Sequence, residues 1–184
     1  MSAIQPQSNS PARWFSEPAV DGVRPDASLN RWLTGGGLLT ARLRAVSEQG
    51  FRLQVLDSES THNRVESNVR LRQIVIWCNG LACIYAETCI PAATADAHPW
   101  LEALGDEPLG ETLQTRENVE RSPFEYARLS LPELPEPLRV MAAEEVWARR
   151  SEFRIDELPL TVTEFFLPAL NDFEPPARRP AGQP

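Results

Sequence analysis

Apolar and polar residues alternate strictly along two parts of the chain and predict two pairs of strands. VRLRQIVIWC (Val69 to Cys78) and LACIYAETCI lie on either side of Asn79-Gly80, a dipeptide typical of a two-residue type I′ hairpin turn. VWARRSEFRI and LTVTEFFL form the second pair, joined by Asp156 to Leu158. Because hairpin-connected strands are antiparallel, the pattern predicts an antiparallel sheet.

Helical spacing predicts a helix in LNRWLT with Ser28 as N-cap, and a second in LLTARLRAV after the glycine run Gly35 to Gly37. Two more helices are expected, one around residues 97–104 and one from Leu138 to Glu145. FRLQVLD and ENVERSPFEYARLS add strands, the latter broken at Pro123. The elements together predict an α+β fold: a single domain with an antiparallel sheet of about six strands, and helices mostly on one face that cover a ligand pocket.

Both ends of the chain are rich in proline and polar residues. We expect residues 1–27 to be a disordered or loosely docked leader, on which Trp14 and Phe15 are the candidates for docking. Residues 28–170 would form the folded domain, and residues 171–184 a Pro-rich disordered tail.

Two charged residues lie on strand faces that otherwise look buried. Arg72 shares its face with Ile74, and Glu164 shares its face with Val162 and Phe166. A charge among aliphatic neighbours costs several kcal/mol unless it is paired or binds a ligand. One basic and one acidic residue of this kind suggest a small apolar pocket for a ligand with a carboxylate at one end and a hydroxyl at the other. The residues alone leave a structural alternative open, in which the two charges are paired or solvated.

Backbone groups and further arginines add to this picture. The N–H of Leu39 follows the glycine run at a helix start, and the N–H of Leu109 lies in the tight turn PLG, so both could hold a carboxylate. The alternative is a plain helix end followed by a flexible link. In WARRS, Arg149 and Arg150 point to opposite faces, so at most one of them lines a pocket.

Composition and charge exclude several classes of function. A net charge of −8 on 184 residues argues against nucleic acid and anionic membranes, so an anion would need local donors. No stretch approaches the about 18 apolar residues of a membrane span, and we expect a cytoplasmic protein. The three cysteines and two histidines (Cys78, Cys83, Cys89, His62 and His98) fit no zinc pattern, and no nucleophile elbow or phosphate loop appears.

Five stretches in order resemble the bacterial chorismate–pyruvate lyase family: LTARLRA, LRQIVIWCNG, ALGDEPLG, VWARRS and LTVTEFFLPA. The resemblance implies a six-stranded α+β domain that converts chorismate to 4-hydroxybenzoate and pyruvate for ubiquinone biosynthesis, without metal or cofactor. The family's carboxylate-binding arginine falls on Arg72, and its hydroxyl-binding glutamate on Glu164. Its backbone donors fall on Leu39 and Leu109. We expect a monomer whose partners are the substrate and product alone.

One position departs from the resemblance. If the Asn79-Gly80 turn sets the register, paired residue numbers sum to 159 and Arg72 faces Glu87, where the family's pattern would have an arginine. A glutamate there would neutralise Arg72 or repel a carboxylate, at a cost of about 1–3 kcal/mol. This leaves a second interpretation, a non-catalytic or altered-specificity binder of an aromatic carboxylic acid. We favour the lyase.

Overall fold

The computed structural model describes residues 12–48, 50–56, 68–142 and 145–176. In these ranges the strands are β1 Phe51–Val55, β2 Val69–Cys78, β3 Leu81–Pro91, β4 Val119–Arg121, β5 Glu125–Leu129, β6 Val146–Ile155 and β7 Leu158–Phe166. The α-helices are α1 Ala27–Thr34, α2 Leu39–Val46, α3 Ala92–Ala97, α4 Leu109–Gln114 and α5 Glu136–Arg139. Short 3₁₀ turns span Pro99–Leu101, Leu131–Glu133 and Pro168–Asp172.

All strands join one antiparallel sheet in the order β1-β2-β3-β7-β6-β4, and β5 also pairs with β6. β4 and β5 pair with opposite halves of β6, because the chain breaks its pairing around Pro123, as predicted. The α+β single-domain prediction is confirmed, and the described ranges contain seven strands where about six were expected.

Both hairpins turn through left-handed residues. Asn79 and Gly80 have φ of 50° and 83°, which confirms the predicted type I′ turn. The second hairpin turns at Asp156 and Glu157, with φ of 48° and 68°. Leu158 is already paired in β7, so this turn is one residue shorter than predicted.

The predicted register between β2 and β3 is wrong. A β-bulge next to Trp77 makes Cys83 an extra residue and shifts the later pairs by one position. Arg72 therefore pairs with Thr88 and does not face Glu87. Since successive side chains alternate between faces, the shift places Glu87 on the other face of the sheet from Arg72.

The first helix begins earlier than predicted. Its N-cap is Asp26, whose side chain accepts a hydrogen bond from the N–H of Leu29 at 2.8 Å. The hydroxyl of Ser28, the predicted cap, is buried without a hydrogen-bond partner in the described structure. Asp26 is preferred because it lies one residue before the helix, where its side chain reaches the free N–H groups of the first turn.

The two other predicted helices are misplaced. Around residues 97–104, α3 ends at Ala97 and a 3₁₀ turn begins at Pro99, because a proline cannot donate the hydrogen bond that would continue α3. The helix expected over Leu138 to Glu145 is instead α5, which ends at Arg139 and accommodates a proline in its first turn. Residues 143 and 144 lie outside the described ranges.

The sheet buries apolar side chains on both faces. The face covered by α1 and α2 includes Ile74, Ile76, Ile84 and Phe166, which share a core cluster with Leu33 and Leu43 of these helices. The opposite face includes Val75, Tyr85 and Phe165, covered by Leu134 and Leu138. The cavity described below lies on the first face.

The chain before α1 contacts the sheet. Phe15 and Tyr126 exchange backbone hydrogen bonds of 2.8 and 2.7 Å, and the guanidinium of Arg150 lies 4.3 Å from the ring centroid of Trp14. Of the leader and tail predictions, residues 1–11 and 177–184 lie outside the described structure, and the domain boundaries remain predictions. No helix in the described ranges is both long and apolar enough to cross a membrane.

Candidate active site

A cavity of about 320 Å³ lies between the sheet and the helices α2 and α4. Its floor consists of inward-facing strand residues from β2, β3 and β7, including Ile74, Ala86, Thr88 and Val162. The size suits one small ring-containing ligand. Leu39, Arg72, Leu109 and Glu164, the residues singled out from sequence, all line it. Their roles toward a ligand remain predictions.

Arg72 projects from β2 into this cavity and contacts the loop before α4. Its Nη2 donates hydrogen bonds to the carbonyls of Gly105 at 2.9 Å and Glu107 at 3.0 Å. Burial lowers the pKa of Arg72, and the nearby Asp106 raises it. Nε and Nη1 make no hydrogen bond within the described structure, so these two groups can donate hydrogen bonds to a bound anion. Arg72 makes no ion pair there, so the pairing considered in the structural alternative does not hold for Arg72, although it does hold for Glu164.

Glu164 lies on β7 and is paired with a buried arginine. Its Oε2 accepts a hydrogen bond from Nε of Arg149 at 2.5 Å, and the Arg149 side chain is 1% exposed. Nη1 of Arg149 donates to the carbonyl of Leu33 at 2.7 Å, so the arginine is held from two sides. Oε1 of Glu164 has no hydrogen-bond partner among the described residues. Oε2 is therefore fixed by Arg149, and Oε1 can accept a hydrogen bond from a ligand.

The sequence reasoning missed this partner. Arg149 and Glu164 are direct neighbours across the β6–β7 hairpin. A two-residue turn at Asp156 and Glu157 implies that pairing, but the longer loop assumed from sequence obscured it. The prediction that at most one of Arg149 and Arg150 lines a pocket is confirmed. Arg149 lines the cavity, while Arg150 pairs with Glu125 on the other face of the sheet.

The acid and the base lie at separate ends of the cavity floor. Arg72 is in register with Thr88 and Val162, whereas Glu164 is in register with Ala86, two residues further along. Two strand spacings and two residues of rise place their Cα atoms roughly 12 Å apart. Both side chains project from the same face of the sheet into the cavity, so a six-membered ring with polar groups at opposite ends can lie on the floor between them.

Two helices begin at the rim of the cavity. α2 starts at Leu39 and α4 at Leu109, and neither N-cap residue supplies a capping side chain. The hydroxyl of Thr40 donates to Oε1 of Glu111 at 2.9 Å and joins the two helices. Gly37 has φ of 75°, a left-handed conformation that allows the chain to turn into α2. Both helix starts therefore present backbone N–H groups on the side of Arg72.

The open side of the cavity carries two more arginines that sequence reasoning did not identify. Arg116 and Arg121 are exposed lining residues. Nε of Arg121 donates to the hydroxyl of Ser151 at 3.0 Å, and the guanidinium of Arg116 lies 3.6 Å from the ring centroid of Trp100. Only the position of β4 beside β6 brings Arg121 here, and no local sequence pattern indicates that pairing.

Glu87 does not line the cavity. It accepts hydrogen bonds from Nε2 of Gln73 and from the hydroxyl of Tyr85, each at 2.8 Å, on the opposite face of the sheet. The predicted conflict between Glu87 and Arg72 is therefore absent. Within the described ranges, no group of three or more His, Cys, Asp or Glu side chains is placed to hold a metal ion.

Comparisons with known proteins identify the family of the chain. Residues 9–174 match the family model described as chorismate lyase. Proteins named probable chorismate pyruvate-lyase are similar to the chain. The one from Ralstonia nicotianae is 36% identical over 79% of this chain and 84% of that protein. The one from Cupriavidus pinatubonensis is 37% identical over 85% and 89%.

Among solved structures, the effector-binding domain of the B. subtilis trehalose repressor has a TM-score of 0.43 at 10% identity, over 72% of this chain and 99% of that one. The family match spans all of the described sheet and every lining residue of the cavity. The chain belongs to the chorismate lyase family, whose members are lyases.

Proposed function

We propose that this protein cleaves chorismate to 4-hydroxybenzoate and pyruvate. The observation that carries the proposal is the position of Arg72 and Glu164 at opposite ends of one small cavity, each with hydrogen-bonding atoms available to a ligand. The ring of chorismate bears a carboxylate and, across the ring from it, a hydroxyl. The charges at the two ends of the cavity match those two groups.

Arg72 would bind the ring carboxylate through Nε and Nη1. The backbone N–H groups of Leu39 and Leu109 would complete this end, because both helix starts line the cavity near Arg72. The hydrogen bonds from Arg72 to the loop at Gly105 and Glu107 hold α4 in position, so one side chain both binds the anion and places a second donor.

Glu164 would bind the ring hydroxyl through Oε1. In the reaction the bond between the ring carbon and the ether oxygen breaks, and its electron pair leaves on enolpyruvate. The hydrogen on the carbon that bears the hydroxyl departs as a proton, the ring becomes aromatic, and a proton added to the enolpyruvate methylene gives pyruvate. Arg149 fixes the orientation of Glu164, and its positive charge would lie near the departing oxygen and stabilise it. The balance requires no oxidant or cofactor.

The product would supply ubiquinone biosynthesis. We propose that the protein acts in the cytoplasm as a monomer. One chain supplies a complete set of the groups assigned to the ligand, so the proposed reaction requires no second copy. Size-exclusion chromatography with light scattering would test the monomer. The alternative, a binder of an aromatic acid without turnover, rested on Glu87 facing Arg72. The observed register removes that support.

The test is incubation of the purified protein with chorismate while the absorbance of 4-hydroxybenzoate is followed. We expect turnover by the wild type and a fall of about 100-fold in kcat/KM for Arg72→Gln, since a charge-assisted hydrogen bond contributes about 1.5–3 kcal/mol. Arg150→Gln is the matched control. Arg150 lies on the opposite face of the sheet, so this variant should retain activity. If the folded wild type shows no turnover above the buffer rate, the proposal is rejected.

A further inference from the structure

The cavity carries more positive charge than one ring carboxylate requires. Among the described residues, its lining contains Arg72, Arg116, Arg121 and Arg149 but only one acid, Glu164. Glu164 compensates Arg149, and a ring carboxylate would compensate Arg72. Arg116 and Arg121 make no ion pair with any described residue. Such an excess is notable in a chain of net charge −8 and indicates a second anionic group on the ligand.

Arg121 is the better placed of the two. Its guanidinium carbon lies 4.0 Å from the ring centroid of Phe124 and 4.9 Å from that of Phe153, while Nε donates to Ser151. These three contacts orient the guanidinium plane. Nη1 and Nη2 have no acceptor within the described structure, so the outer edge of the group is ready to bind a carboxylate.

Arg121 also lies near the Glu164 end of the cavity. The ring of Phe124 contacts both Arg121 and Arg149, at 4.0 and 4.1 Å from the ring centroid. Arg121 is exposed only in part: partial burial lowers its pKa, the charge of Glu164 raises it, and the charge of Arg149 lowers it, as expected for close neighbours. Arg121 therefore reaches the region beside the group assigned to the ring hydroxyl.

The chemistry of the proposed substrate places its second carboxylate in this region. The ether substituent of chorismate is attached to the ring carbon next to the one that bears the hydroxyl, and it ends in a carboxylate. We infer that Arg121 binds that second carboxylate and makes the site selective for dicarboxylate over monocarboxylate ligands. This inference rests on the proposed function for the orientation of the ring.

Selectivity of this kind separates substrate from product. Cleavage removes the second carboxylate with pyruvate, so 4-hydroxybenzoate would retain its contacts with Arg72 and Glu164 but lose the contact with Arg121. Because Arg121 and Arg116 are exposed, pyruvate would be released at this open side. The substrate would therefore bind with one more ionic contact than the product.

The test compares two stable ligands by isothermal titration calorimetry. 3-(Carboxymethoxy)-4-hydroxybenzoate carries both carboxylates on an aromatic ring and cannot undergo the reaction, whereas 4-hydroxybenzoate carries one. We expect Arg121→Gln to weaken binding of the dicarboxylate by about tenfold and to change binding of 4-hydroxybenzoate by less than about threefold. Arg154→Gln, which removes an exposed arginine on β6 that pairs with Glu152, should change neither.

Each outcome decides the inference. An equal loss for both ligands would assign Arg121 a structural role and overturn it, as would no loss for either. Arg121→Lys, which keeps the charge but not the planar fork, should lose less dicarboxylate affinity than Arg121→Gln. The chorismate assay on the wild type is independent: a selective loss without turnover would retain the dicarboxylate site and reject only the proposed reaction.

Discussion

Each face of the sheet holds a partly buried glutamate, Glu87 on one side and Glu164 on the other, and of these two only Glu164 lines the cavity. On the closed face, the Glu87 side chain accepts hydrogen bonds from two neutral neighbours, Gln73 and Tyr85. On the cavity face, Glu164 is held by the fully buried Arg149 and lines the cavity, with Oε1 not bound by any described residue. A partly buried acid therefore indicates a ligand site only where its partners leave an oxygen unused beside a cavity.

Tyr85 shows how the closed face is stabilised. Burial, followed by the charge of Glu87, raises the pKa of Tyr85, so its hydroxyl remains a proton donor over the physiological range. A neutral donor beside a partly solvated carboxylate requires no second charge. The cavity face differs because both Glu164 and Arg149 are removed from most solvent and each depends on the other.

The largest expected effect comes from removing the buried arginine. Arg149→Met should lower the free energy of unfolding by about 3–5 kcal/mol, because it leaves Glu164 without its ion-pair partner in a poorly solvated site. Denaturant unfolding followed by fluorescence measures this. The double variant Arg149→Met/Glu164→Gln should regain part of the loss, since no unpaired charge remains. If the double variant is no more stable than Arg149→Met, the pair does not act as a unit.

The next effect separates the two glutamates by activity. Glu164→Gln should lower kcat by about 100- to 1,000-fold, in the range expected for loss of a positioned acid–base or charge-stabilising group. Steady-state kinetics with chorismate gives the value. Because Glu164→Gln leaves Arg149 without its charged partner, denaturant unfolding of the variant is measured in parallel as a control for stability. Activity within a few-fold of the wild type would remove Glu164 from the reaction.

Strand alternation alone was sufficient to identify the two ends of the cavity. It places Arg72 and Glu164 on apolar faces, and the structure places both faces on the same side of the sheet. The partners were harder to predict. The bulge at Cys83 places Glu87 on the other face of the sheet from Arg72. Arg121 lies at the cavity because β4 pairs with β6. These pairings depend on tertiary packing, which no local pattern records.

The smallest expected effect is at Glu87. Because its side chain lies across the sheet from Arg72, Glu87→Gln should change kcat/KM by less than about twofold and the free energy of unfolding by about 1 kcal/mol, since the amide oxygen can still accept from Tyr85. Glu87→Arg should not raise turnover, although it introduces the residue expected from the family resemblance. An increase in turnover with Glu87→Arg would mean that the charge at this position changes the electrostatic potential in the cavity. The two faces would then be electrostatically coupled, and the register alone would not explain why Glu87 is tolerated.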